Sequence, residues 1–241
     1  MTIYGKDFAE AYNESWGFWG EKMWPFLSQA VARRVPRASR WLDLCCGTGS
    51  LLKILGENGF EAVGVDLSPH QLRFARRNAP GATLVRADVR SFDLPGSFHV
   101  VTALFDSLNY LLTKRDLLAV FRRTRRHLAP GGLFVFDMNT LEGLHQFWRQ
   151  TIILRGEHRT LINETSFDDK TSRGLCRITG FVKQGRLYHR FQEDHVQRGY
   201  TAAELDDLLR RAGFRFCRYD GHTFTRRTRN AARLLYTARP R

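Results

Sequence analysis

Lysine is scarce in this chain: six of its 38 basic residues are Lys, at positions 6, 22, 53, 114, 170 and 183, and the rest are Arg. Cysteine is scarce too. The four cysteines (45, 46, 176 and 217) form no Cys-x-x-Cys pair and no zinc spacing. That excludes a disulfide scaffold and a structural zinc site, and it points to a reduced, cytoplasmic protein. No apolar run approaches the roughly 18 residues a membrane helix needs, so no membrane partner is expected. The opening stretch MTIYGKDFAEAYNESWGFWG lacks a basic start followed by an apolar block, so it does not read as a signal peptide. No catalytic triad and no metal-ligand cluster stands out.

What is present suits one large globular domain. The chain has 241 residues, 43% of them hydrophobic and 26% charged, enough for a real core. The net charge of +14 needs a home. Its clusters, such as Arg122-Arg123, Arg125-Arg126 and Arg210-Arg211, fall mostly on predicted helices. There Leu117, Leu118, Phe121 and Leu128 form the buried stripe and the arginines cover the other face. Solvated helix faces are the first reading of the charge, and an RNA-binding surface is the second.

The stretch Arg40 to Asp66 organises the rest. Trp41, Leu42 and Leu44 form a short apolar run ending at Cys45-Cys46-Gly47-Thr48-Gly49. A helical pattern follows in Leu51, Leu52, Ile54 and Leu55. Ala62 to Val65 make a second strand with Asp66 at its end. This is a β-α-β unit suited to a nucleoside. Gly47 and Gly49 allow a tight turn with no side chain between backbone and ligand. The helix that follows offers free N–H groups. Asp66 sits where a carboxylate can accept bonds from ribose hydroxyls.

Ser68-Pro69 opens the next helix, and a third strand, Ala82 to Ala87, ends at Asp88. Asp43, Asp66 and Asp88 thus lie at or near the tips of three successive strands, which converge on one crevice in a doubly wound sheet. A fourth strand runs from Phe98 to Phe105, followed by Asp106-Ser107-Leu108-Asn109-Tyr110. A helix covers 115–127, a turn Ala129 to Gly132, and a fifth strand Leu133 to Met138. From about residue 151 the pattern changes to alternation and turn signals, read as three or four inserted antiparallel strands. The charged alternates of that insert, Arg155, Glu157, His158, Arg159, Arg190, Glu193 and His195, face either a polar substrate or water. Thr201-Ala202-Ala203-Glu204 is a capping box for a last helix, and Phe214 to Tyr219 and Leu234 to Ala238 close the sheet. The aromatic leader, with Tyr4, Phe8, Tyr12, Trp16, Phe18, Trp19 and Trp24, reads as two helices that end before Pro36. It either packs on the domain or acts as a lid over the crevice.

The run Asp43-Leu44-Cys45-Cys46-Gly47-Thr48-Gly49 resembles motif I of class I S-adenosylmethionine-dependent methyltransferases, usually Asp-x-Gly-x-Gly-x-Gly, with Cys45 in place of the first Gly. A dinucleotide fingerprint would need Gly where Leu52 stands. Leu128-Ala129-Pro130-Gly131-Gly132 resembles a second signature of the family. The resemblance implies a Rossmann-like, doubly wound α/β fold with a seven-stranded sheet, here with an antiparallel β insert. The implied layout is a helical lid (1–35), a cofactor-binding core (36–150), the insert (151–199) and a closing helix and strand hairpin (200–241). It implies S-adenosyl-L-methionine as cofactor, held by Tyr4, Asp43, Cys45, Gly47, Gly49, Asp66, Leu67, Asp88, Val89 and Phe105. Candidate bases are Tyr110, Asp106 and His195. Amino-sugar N-methyltransferases are similar in layout but carry a His near the place of Tyr110.

Three functions follow as expectations. The first is methyl transfer to an O or N atom of a small molecule, by a monomer or homodimer. The second is RNA methylation, although no Asn-Pro-Pro-Tyr type motif follows the fourth strand. The third is a domain that binds the cofactor without turnover.

Overall fold

A computed structural model describes residues 4–35 and 37–241; Pro36, expected to end the leader's second helix, lies outside them. The leader forms α1 (Lys6–Ser15) and α2 (Trp19–Arg34). Alternation then sets in: β1 (Arg40–Leu44), α3 (Ser50–Glu57), β2 (Glu61–Asp66), α4 (Pro69–Asn78), β3 (Thr83–Arg86) and β4 (Phe98–Ala103). A 3-10 turn (Ser107–Tyr110), α5 (Lys114–His127), β5 (Leu128–Asn139) and α6 (Leu141–Phe147) follow. Four strands come next, β6 (Thr151–Arg155), β7 (Arg159–Asp168), β8 (Arg173–Gln184) and β9 (Leu187–Arg198). The chain closes with α7 (Ala202–Arg211), β10 (Phe214–Asp220) and β11 (Arg233–Pro240).

Seven strands form one sheet in the order β10-β11-β5-β4-β1-β2-β3, and the insert forms a separate sheet, β6-β7-β8-β9. Pairs among β1 to β5 in the large sheet are parallel. Strand β11 runs antiparallel to both β5 and β10. The order reverses between β1 and β4, so a crevice opens at the C-terminal ends of those strands. Both faces of the sheet are covered, which is why the central strands read as near-continuous apolar runs. On one face Leu117, Phe121, Leu205 and Leu208 of α5 and α7 join Phe134 and Phe136 in a buried core. On the other, Met23, Leu27, Leu51, Leu52 and Leu55 of α2 and α3 pack on Trp41, Leu133 and Val135.

Local rules hold at the starts of α4 and α7. Ser68 caps α4 by accepting from the Gln71 N–H, with Pro at the first turn, and Thr201 and Glu204 form a reciprocal capping box on α7. Three strand boundaries differ from expectation. Strand β3 stops at Arg86, which leaves Asp88 in the loop beyond it. Strand β4 stops at Ala103, because Phe105 and Asp106 have φ of +58° and +49° and leave the extended region. Strand β5 begins at Leu128 and absorbs the expected turn at 129–132. Its pairing with β4 jumps from Phe98–Leu128 to Val100–Leu133, and Gly131 takes up the irregularity at φ +75°. Helix α6 had no sequence expectation. No helix among the described residues is long and apolar enough to cross a membrane.

Candidate active site

The bend after β1 carries three left-handed residues: Cys45 at φ +56°, Gly47 at +54° and Gly49 at +81°. A side chain in that region costs roughly 1–2 kcal/mol, so Cys45 occupies a position that favours glycine. Gly49 is needed twice over, since a Cβ there would also lie 3.0 Å from the Ala75 Cα of α4. The bend is braced from β2. The Gly47 N–H donates to Asp66 Oδ2 at 2.9 Å, and the Ser68 N–H donates to Asp66 Oδ1 at 2.8 Å. One carboxylate therefore ties the bend to the start of α4. Burial pushes the Asp66 carboxyl above its ordinary value, opposed by these N–H donors.

A narrow cleft lies over the bend, between Asp43, Cys45 and Gly47 on one side and Tyr12, Trp16, Trp19 and Phe105 on the other. The leader thus forms one wall. Phe105 stacks on Trp19 with ring centroids 4.7 Å apart. Tyr4, itself at φ +59°, is bolted down at several points. Its N–H donates to Glu193 Oε2 at 2.8 Å, its carbonyl accepts from Ser68 Oγ at 2.8 Å, and its hydroxyl lies 3.1 Å from that of Tyr110. The Tyr110 hydroxyl is in turn 2.9 Å from His195 Nδ1. His195 is buried against Tyr4 and Phe8. Its Nε2 lies 3.4 Å from Glu193 Oε2, without hydrogen-bond geometry. Burial pushes the Tyr110 phenol well above its ordinary value.

Asp43 is buried at the floor of the cleft and accepts from Thr102 Oγ1 at 2.7 Å. Burial pushes its carboxyl up to about 7, with Asp66 adding to the rise and the Thr102 bond opposing it. The folded value exceeds the unfolded one, so this group's contribution to stability is full below about pH 4 and lost as pH rises through about 7. We therefore expect the melting temperature of the ligand-free protein to fall between about pH 5 and pH 8, and to fall less in Asp43→Asn. Equal slopes in the two proteins, by scanning calorimetry, would remove Asp43 as the source.

Asp106 is held on both of its oxygens. Arg233, 7% exposed, pairs with both Asp106 and Asp137, and Gln197 Nε2 donates to the second oxygen of Asp106. Asp137 also accepts the N–H groups of Phe105 (2.7 Å) and Asp106 (3.2 Å), which holds the left-handed pair in place. Burial raises Asp106 while Arg233 opposes the rise. With both oxygens engaged, Asp106 is geometrically a strut. Asn109 completes the support. Its Nδ2 donates to the carbonyls of Asn139 and Arg198, and its Oδ1 accepts from the Asn139 N–H, so the 3-10 turn carrying Tyr110 is tied to β5 and β9.

The remaining expected residues lie around this frame. Leu67 is 59% exposed beside Asp66. Asp88 pairs bidentately with Arg90 (Oδ2–Nη2 2.6 Å), which holds its carboxyl below the usual range. Val89 packs against the core, partly buried. Among the insert's charged residues, Arg159 and His195 are buried and Glu193 is mostly so, whereas Arg155, Glu157, His158 and Arg190 face outward. Arg159 pairs with Glu14 of the leader. Gln71, Gln197 and Arg233 carried no sequence expectation. For Gln71 a signal existed, since a polar residue stands three positions after the cap, on the inner side of α4.

These residues fit an adenosyl sulfonium donor. Gln71 is 1% exposed, and neither end of its amide has a partner. Its Oε1 lies 3.9 Å from where a Cβ on Gly47 would stand, so a buried amide waits beside the bend. Asp43 and Asp66 supply acceptor oxygens, and the aromatic wall suits an adenine or a cation. A dinucleotide fits poorly, because Leu52, where its third glycine belongs, is fully packed in the core. No group of acidic, His and Cys side chains arranged to hold a metal occurs among the described residues.

Comparison with known proteins points the same way. A family model described as a methyltransferase domain matches residues 42–132. The putative methyltransferase YqeM of Bacillus subtilis (strain 168) is 30% identical over 243 residues, covering 98% of this chain and 94% of that protein. A dTDP-3-amino-3,6-dideoxy-alpha-D-glucopyranose N,N-dimethyltransferase of Streptomyces fradiae is 36% identical over 74% of each chain. The crystal structure of an S-adenosylmethionine-dependent methyltransferase from Clostridium acetobutylicum ATCC 824 superposes with a TM-score of 0.85 at 24% identity, covering 97% of this chain and 98% of that one. Glycine bend, acidic strand tips and sheet order define a class I methyltransferase site, and this chain belongs to the S-adenosylmethionine-dependent methyltransferase family.

Proposed function

We propose that this methyltransferase acts on an amine or hydroxyl of a polar small molecule of the amino-sugar type. The observation that carries the reading is the chain of side chains Tyr4–Tyr110–His195 under a roof made by α1 and β9. S-adenosyl-L-methionine, when bound, supplies an electrophilic methyl group. Asp66 would receive its ribose hydroxyls, and Asp43, Cys45, Gly47, Gly49 and Phe105 would surround its methionine end. Leu67, Asp88 and Val89 would flank the adenine, and Tyr4 would close over the top. The chain's own work is to exclude water, align the acceptor and take its proton. Tyr110 stays protonated because burial raises its phenol. It therefore acts as a relay, receiving the acceptor's proton at its hydroxyl while passing its own to His195 Nδ1.

The amino-sugar class is supported by relatives such as the Streptomyces fradiae enzyme. RNA remains the second acceptor reading, on the net charge of +14. Transfer of labelled methyl from S-adenosylmethionine to a panel of nucleotide-linked amino sugars, run beside total RNA, tests the choice. We expect sugar labelling that falls at least about 100-fold in Tyr110→Phe, the scale of general acid–base catalysis. Labelling of RNA alone would overturn the small-molecule reading.

A further inference from the structure

Glu193 belongs to none of the roles above, yet it touches both halves of the roof. It lies on β9, its side chain is 14% exposed, and it reaches the first described residues of the chain. Its two oxygens accept separate backbone donors, Oε1 from the Gly5 N–H at 2.7 Å and Oε2 from the Tyr4 N–H at 2.8 Å. Gly5 is the N-cap of α1, and no side chain of the helix's own caps it. A carboxylate from another element accepts the N–H of this N-cap residue and of the one before it, at a helix end whose dipole favours negative charge. The geometry of the same contact shows how close the fit is. Gly5 has φ −65°, which any residue adopts, but a Cβ there would lie 2.8 Å from Glu193 Oε1. An alanine at position 5 would therefore leave the helix backbone alone and displace the end of the Glu193 side chain. The same carboxylate lies 3.4 Å from His195 Nε2, on the far side of the ring from Tyr110.

We propose that Glu193 is a positioning residue of the methyl-transfer site: it latches the start of the leader over the cofactor crevice and, through that latch, sets Tyr4 and His195 on either side of the Tyr110 hydroxyl. The proposal rests on the reading of the crevice as the S-adenosylmethionine site. Tyr4 holds a left-handed backbone, a strain of order 1–2 kcal/mol, and the hydrogen bond from its N–H to Glu193 is one of the contacts that maintain it. With the carboxylate gone, the leader's first turn loses two charge-assisted bonds, and the Tyr4 hydroxyl loses its fixed distance to Tyr110. The insert then has a defined part in the site: it carries the latch in β9, two residues from His195.

The test uses the full chain and S-adenosylmethionine as probe, by titration calorimetry, on Glu193→Gln, Gly5→Ala and the double variant. Glutamine keeps the size of the side chain and removes its charge; alanine at position 5 keeps the backbone and pushes the carboxylate away. Each single variant is expected to bind about tenfold more weakly, and the double within about threefold of the weaker single, because both break one contact. Hydrogen exchange across residues 4–16 should speed up in all three. A helix cap with no part in the site would speed that exchange and leave cofactor affinity within about twofold of wild type, which would overturn the proposal. Multiplying losses in the double variant would also overturn it. Asp66→Ala in the same series separates the two failures. If Asp66→Ala loses binding while Glu193→Gln keeps it, only the latch falls; if both keep it, the cofactor site falls.

Discussion

Asp66→Ala is expected to lower the affinity for S-adenosylmethionine by about 100-fold or more while the far-ultraviolet spectrum stays that of the wild type. Two effects add. The ribose would lose a charged acceptor, and hydrogen bonds to charged groups are worth about 1.5–3 kcal/mol each. The bend would lose its brace as well, because the Gly47 and Ser68 N–H groups both donate to this carboxylate. Asp66→Asn keeps an acceptor for one of them and should fall between the two. Calorimetry on folded protein decides it. Affinity within about threefold of wild type in Asp66→Ala would remove the ribose assignment.

Arg233→Met should cost more in stability than any surface substitution. Arg233 is the cation between Asp106 and Asp137. Burial pulls its guanidinium down, but the two carboxylates outweigh this and hold it above its ordinary value. Methionine fits the volume and stacks beside Trp19, whose ring lies 4.9 Å from the guanidinium carbon, yet it leaves two carboxylates buried side by side. Breaking such a pair costs about 3–5 kcal/mol, against a typical total of about 5–15 kcal/mol. The sign with pH follows. Without the cation, which opposes the burial-driven rise of Asp106, the Asp106 carboxyl rises further, so the variant should regain stability as pH falls from about 8 to about 5. Urea melts at the two pH values measure both effects. A loss below about 1 kcal/mol, or no recovery in acid, would show that the triad is not the strut it looks like.

The β-α-β unit was legible because its signals are local. Apolar runs, the glycines at 47 and 49 and the acidic residue after β2 lie within one stretch, and their order alone carries the topology. The capping box at Thr201 was legible for the same reason. Strand ends were less so. Nothing in the composition of Phe105-Asp106 announces positive φ, which here is held by Asp137, 31 and 32 residues away in sequence. The support of the candidate site was hidden almost entirely. Arg233 meets Asp106 across 127 residues and Glu193 meets Tyr4 across 189, and in a sequence with 38 basic residues one arginine carries no mark. Asp88 teaches the converse. Its partner Arg90 stands two residues on, close enough to have been weighed beside the expected adenine contact. In the insert, alternation located the strands but did not say which charged residues faced inward, because that depends on how the sheet lies against α1.

The central claim is that the glycine bend, Asp66 and the aromatic leader together grip an adenosyl sulfonium donor. A crystal grown with S-adenosylhomocysteine, the demethylated product, tests it directly. The account predicts the nucleoside in the cleft over Gly47, its ribose hydroxyls on Asp66 and its sulfur toward Tyr110. Ordered nucleoside bound elsewhere, or a cleft that stays empty at saturating product, would contradict it.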